Sequence, residues 1–127
     1  MALTVEVVSP ERILWSGEAD MVVARTSEGD IAFLTGHAPF IGALGIGAVI
    51  VEESNKQQTK IAVHGGFVEV SNNRVTILSD VAELASDIDP GRARAAKEAA
   101  EAAFRSEPTP DNEAALRRAT LRTELAA

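Results

Sequence analysis

The sequence predicts an antiparallel β-sandwich of about ten short strands, followed by an antiparallel hairpin of two α-helices. Three observations carry this. First, two alternating apolar runs flank Asn72-Asn73, the residues of a tight hairpin turn. Second, turn residues recur at close spacing between short apolar runs from Leu3 to Ala85. Third, the apolar period changes from that of a strand to that of a helix after Asp89.

Taken in order, Leu3 to Val8 alternates as a strand and Ser9-Pro10-Glu11 closes it. Ile13-Leu14-Trp15 is a short apolar run ending at Ser16-Gly17, and Glu18 to Thr26 reads as one long strand. Ser27-Glu28-Gly29-Asp30 is a turn, Ile31 to Leu34 a short strand, and Thr35-Gly36-His37-Ala38-Pro39-Phe40 a rigid loop. Ile41 to Leu44 and Ile46 to Val51 read as two strands parted by Gly45. Glu52 to Thr59 is a polar hairpin tip.

Ile61 to Leu78 carries the strongest local pattern. Asn tolerates positive φ, so Asn72-Asn73 predicts a two-residue primed turn. That turn pairs Ser71 with Arg74, Val70 with Val75, Glu69 with Thr76 and Val68 with Ile77. Gly65-Gly66 permits a sharp bend or a close backbone approach. His64 shares a strand face with Lys60 and Ala62 and is expected part-exposed. Ser79 to Ala85 is the last short run.

Asp89-Pro90 is a helix start, with Asp as N-cap and Pro at the first helical position. Ala93, Ala96, Ala100, Ala103 and Phe104 form its expected contact stripe. Ser106 to Pro110 breaks the helix, and Thr109-Pro110 starts a second that runs to about Leu125. Ala114, Leu121 and Leu125 share one stripe there, with Leu116 and Ala119 beside it. The expected domains are therefore residues 1–87 and 88–127.

Composition narrows the function. The net charge is −7, and residues 1–87 carry all of it, with twelve acidic and five basic side chains. Residues 88–127 hold seven of each. An acidic sandwich repels nucleic acid, so no nucleic-acid partner is expected. There is no cysteine, which removes disulfides, thiolate metal sites and cysteine nucleophiles. No run approaches the roughly 20 apolar residues of a spanning helix, and the N-terminus has no signal-peptide pattern. The expectation is a soluble protein with no direct membrane insertion.

No nucleophile, P-loop or metal-ligand spacing is present. His37 and His64 are the two histidines, and neither has the spacing of a metal ligand or catalytic base; no metal is expected. Gly42, Gly45 and Gly47 fit strand turns better than a dinucleotide loop, because no helix follows. Arg118 and Arg122 share a helix face, which suits either solvent or an anionic partner.

Several stretches together resemble the epsilon subunit family of bacterial F-type ATP synthase, called delta in mitochondria. They are Val8-Ser9-Pro10-Glu11, Trp15-Ser16-Gly17-Glu18-Ala19, Ala24 to Ile31, Gly36-His37-Ala38-Pro39 and Val63 to Asp80. The resemblance implies a non-catalytic central-stalk subunit on the cytoplasmic side of the bacterial plasma membrane, held peripherally. Its implied partners are the gamma subunit, the c-ring of the membrane sector, and the alpha/beta head when the hairpin extends to inhibit ATP hydrolysis. It also implies docking to the c-ring through Glu28, Asp30, His37 and Pro39. Ile88-Asp89-Pro90-Gly91-Arg92-Ala93 matches the motif at which some members bind ATP as a regulatory ligand. Glu83, Asp89, Arg92, Arg118 and Arg122 would take part there. The alternative reading is a β-sandwich module that senses ATP or another anion through the hairpin.

Overall fold

The computed structural model describes residues 2–126. Eight strands and two long helices follow in the expected order. They are β1 (Leu3–Val8), β2 (Ile13–Ala19), β3 (Met21–Thr26), β4 (Gly29–Leu34), β5 (Phe40–Glu52), β6 (Gln58–Ser71), β7 (Arg74–Leu78) and β8 (Ala82–Leu84), then α1 (Pro90–Ser106) and α2 (Pro110–Ala126). All eight strands belong to one hydrogen-bonded sheet, in the order β2-β1-β7-β6-β5-β3-β4, with β8 paired to β6. Every pairing is antiparallel except that of β1 with β7.

The sheet folds over on itself because β5 and β6 are long and change their inward face partway. In β6, Ile61 and Val63 are buried, and so are Val68 and Val70. Odd positions point inward before Gly65-Gly66 and even positions after. β5 shifts likewise, from Leu44 to Val49 and Val51. The two strands stay in register through the bend, which falls between the pairs Leu44↔Gly66 and Ile46↔His64. Gly65 and Gly66 adopt φ of 98° and 123°, where a side chain is strained. At Gly66 a Cβ would also lie 2.0 Å from the Leu78 carbonyl oxygen. Both halves of the sheet thus feed one core, which includes Leu3, Val5, Val7, Val22, Phe33, Val51, Ile61, Val68 and Ile77.

The expected register around Asn72-Asn73 is present in all four pairs. Both asparagines have positive φ, 50° and 60°. Eight strands replace the expected ten or so because glycine does not interrupt them. β5 runs unbroken through Gly45. β2 runs through Gly17, where the Trp15 indole lies over the glycine, 3.1 Å from where a Cβ would stand. The chain breaks instead at Asp20, so the expected strand from Glu18 to Thr26 is divided between β2 and β3.

The hairpin starts as its capping residues dictate. The Asp89 carboxylate accepts from the Arg92 backbone N–H at 3.1 Å, and Thr109 Oγ1 accepts from that of Asn112 at 3.1 Å. Helix α2 lies on the outer face of β5 and β6, and α1 packs on α2. A second, smaller apolar cluster joins Ala62, Ile88, Ala93 and Leu121, with Ile46, Ala48 and Leu125 against it. The contact stripe of α1 differs from expectation. Ala93 is buried and Ala100 and Phe104 are half-buried, but Ala96 and Ala103 are exposed, and Lys97 lies on the covered side.

Candidate functional site

Three surfaces carry the residues of interest. The first is the rim at the two ends of β4. Thr26 is buried and organises the β3–β4 turn: its hydroxyl donates to the Gly29 carbonyl at 2.8 Å and accepts from the Glu28 N–H at 3.2 Å. That leaves the Glu28 side chain exposed. Asp30 is held by Arg25, whose Nε donates at 2.9 Å and Nη2 at 3.3 Å to the two carboxylate oxygens. The hydrogen bond from Arg25 keeps the Asp30 carboxyl below the usual carboxylate range.

At the far end of β4, His37 Nδ1 donates to the Ala38 carbonyl at 2.7 Å, which fixes the ring. The ring stands edge-on to buried Phe33, centroids 5.1 Å apart, and to Phe40, 6.3 Å apart. The Gly36 N–H donates to Asn73 Oδ1 at 2.8 Å. Asn73 therefore ties this loop to the β6–β7 turn. The structure brings Glu28 together with Asp30, and His37 with Pro39. It does not bring the two pairs together. β4 separates them by on the order of 15 Å at roughly 3.3 Å per residue.

The second surface lies where the hairpin meets the sheet. Glu83, Asp89, Arg92 and Arg122 line one cleft of about 230 Å³, with Asp87, Ile88, Ala93 and Ala96. Arg122 Nε donates to Glu83 Oε1 at 2.5 Å. Arg118 is absent from the cleft lining. Three carboxylates face two guanidiniums there, and Asp89 is occupied as the helix cap. The volume also falls below the roughly 300–1,000 Å³ of ordinary ligand pockets.

The third surface is an apolar row on the open face of the sheet. Ala43, Phe67, Leu78, Val8 and Ile13 stand opposite one another in turn across β5, β6, β7, β1 and β2. Phe67 is 60% exposed, Leu78 51% and Ile13 56%. Ile41, two residues before Ala43 on the same face, is 74% exposed. A shallow groove of about 310 Å³ runs beside the row, lined by Val8, Pro10, Phe67 and Leu78 among others. Exposed apolar side chains thus stand side by side on neighbouring strands.

The ATP synthase Delta/Epsilon chain beta-sandwich domain family matches residues 2–85, all eight strands included. This chain belongs to that family. It is 46% identical over 99 residues to the ATP synthase epsilon chain of Brevibacillus brevis, covering 78% of this chain and 75% of that one. It is 48% identical over 102 residues to the epsilon chain of Thermobifida fusca, covering 78% and 74%. Among solved structures, a chain of the Euglena gracilis mitochondrial ATP synthase (OSCP/F1/c-ring) superposes with a TM-score of 0.80. That alignment covers 91% of this chain and 76% of the other at 23% identity, so it speaks to the fold. A chain from the central stalk and c-ring of the Tetrahymena thermophila mitochondrial enzyme gives 0.61 at 16% identity, covering 100% and 98%.

Within this family fold, sequence reasoning missed two features. The apolar row was readable: Phe67 and Leu78 alternate with buried Val68 and Ile77, so they face outward with Glu69 and Thr76. Local sequence marks Asn73 only as a turn residue, because its bond to Gly36 joins residues far apart in sequence. His64 is intermediate in exposure as a residue, as expected, but its side chain is only 2% exposed, because α2 covers the face that it shares with Ala62. Among the described residues, no group of three or more His, Asp and Glu side chains is arranged to hold a metal, and no helix is long and apolar enough to cross a membrane.

Proposed function

We propose that this chain is a non-catalytic central-stalk subunit of an F-type ATP synthase, seated on the gamma subunit and the c-ring, and that it helps couple ring rotation to the catalytic head. The observation that carries this is the apolar row across five strands. It spans five strands, which suits a protein partner more than a small molecule. The gamma subunit is the partner assigned to it. Glu28 and Asp30 at one end of β4, and His37 and Pro39 at the other, are assigned to the polar loops of the c-ring. The Arg25–Asp30 pair and the Asn73–Gly36 bond hold that rim rigid, as transmission of torque requires. The hairpin is assigned the regulatory part, extending towards the alpha/beta head from a seat that it can leave. The complex works at the cytoplasmic face of the bacterial membrane, with this subunit peripheral.

Size exclusion with purified gamma subunit tests the reading. The chain is expected to co-elute at micromolar concentration. Phe67→Glu puts a charge in the centre of the row without touching the core, and should weaken binding at least tenfold while leaving the melting temperature nearly unchanged. Failure of the unaltered chain to co-elute, or undiminished binding by Phe67→Glu, contradicts the assignment.

A further inference from the structure

His64 is a buried imidazole that the preceding assignments leave unused. Its side chain is 2% exposed, and neither ring nitrogen has a hydrogen-bond partner. It lies under the hairpin, opposite Ile46 of β5. Its Nε2 is 3.7 Å from Glu83 Oε1, too far for a hydrogen bond. That same oxygen accepts from Arg122 Nε. Among the described residues, this is the one ion pair that ties the hairpin to the sandwich.

We propose that His64 is a proton-operated release for the helical hairpin: neutral, it lies passively beneath α2, and protonated, it competes with Arg122 for Glu83 and drives α2 off the sheet. The charged groups facing it are Glu83 from β8 and Arg122 and Arg118 from α2, while β5 presents apolar Ile46. One carboxylate, itself 35% exposed, would then serve up to three cations. A protonated ring also stays buried while α2 stays down. Undocking relieves both costs at once, since it exposes the ring and removes the two arginines.

The titration behaviour agrees in direction. Burial, and next the Arg122 guanidinium, push the His64 pKa below its ordinary value, against an opposing pull from Glu83. The docked state therefore prefers the neutral ring. Docking is fully favoured above the ordinary value of about 6.5, and weakens as pH falls below it. One proton taken up on release shifts the equilibrium by at most tenfold per pH unit. This device belongs to the isolated chain and does not depend on the assembly in which it works, so it can fail while the stalk assignment stands.

The test is deuterium exchange of the full chain between pH 7.5 and 5.0, with each rate corrected for the intrinsic pH dependence of exchange. Protection of α2 amides should fall several-fold to tenfold below pH 6.5, while β7 amides hold theirs. In His64→Ser the α2 protection should be flat over the same range. Equal loss in both proteins, or no loss in either, overturns the proposal. If the variant does not keep its hairpin docked, NMR titration of the native imidazole decides: His64 must titrate below about 6.5, and titration at or above that value overturns the proposal.

Discussion

The sandwich and the hairpin are held by different physics. In the sandwich, strands from both layers contribute fully buried side chains to one core, from Leu3 and Val5 to Val75 and Ile77. The hairpin rests on a cluster of four buried residues, two of them alanines, and on one ion pair whose partners are about one-third exposed. Alanine buries little area, and a part-exposed ion pair contributes modestly. The helices therefore have good caps and a weak seat. A firmly packed platform joined to a weakly seated arm agrees with the proposed division between stalk contact and regulation.

The comparison breaks most easily in the core. Ile61→Ala should lower the unfolding free energy by about 2–5 kcal/mol in urea titrations. Leu121→Ala, in the seat, should cost about 2 kcal/mol, and mostly as undocking. Trypsin should then cut faster at exposed Arg117 while the urea midpoint of the sandwich barely moves. Equal loss of global stability in both variants would mean that the two regions unfold as one. The smallest effect is at the rim. Asp30→Asn should cost under about 1 kcal/mol, since the Arg25 pair is exposed. The native carboxyl is held low by Arg25, so its contribution is present above the unfolded value of about 3.9 and lost as pH falls through the folded value. Above pH 5 the difference between variant and native chain should be constant, and it should vanish towards pH 2.

Local chemistry made much of the fold legible. The Asn72-Asn73 turn fixed a register, and Asp89-Pro90 and Thr109-Pro110 fixed two helix starts, because each of these choices is settled within a few residues. What was misread depends on distant contacts. The alanines of α1 recur on several faces at 95, 96, 99, 100, 102 and 103. Alanine periodicity therefore cannot select a contact stripe, and α2 selects it instead. Alternation along β6 places His64 opposite the core, but whether that face meets water depends on α2, which starts 46 residues later in the chain, at Pro110. Of the candidate site residues, Glu83, Asp89, Arg92 and Arg122 do converge on one cleft, yet the count of carboxylates there emerges only once Asp87 is placed beside them.

If the apolar row is the gamma contact, the sandwich alone should carry it. It is tested most directly by measuring gamma-subunit affinity for residues 1–87 against the full chain under the same conditions. The account predicts a folded fragment whose dissociation constant matches that of the whole within about threefold. A fragment that folds but binds gamma more than tenfold more weakly would contradict it, and would move the contact into the hairpin.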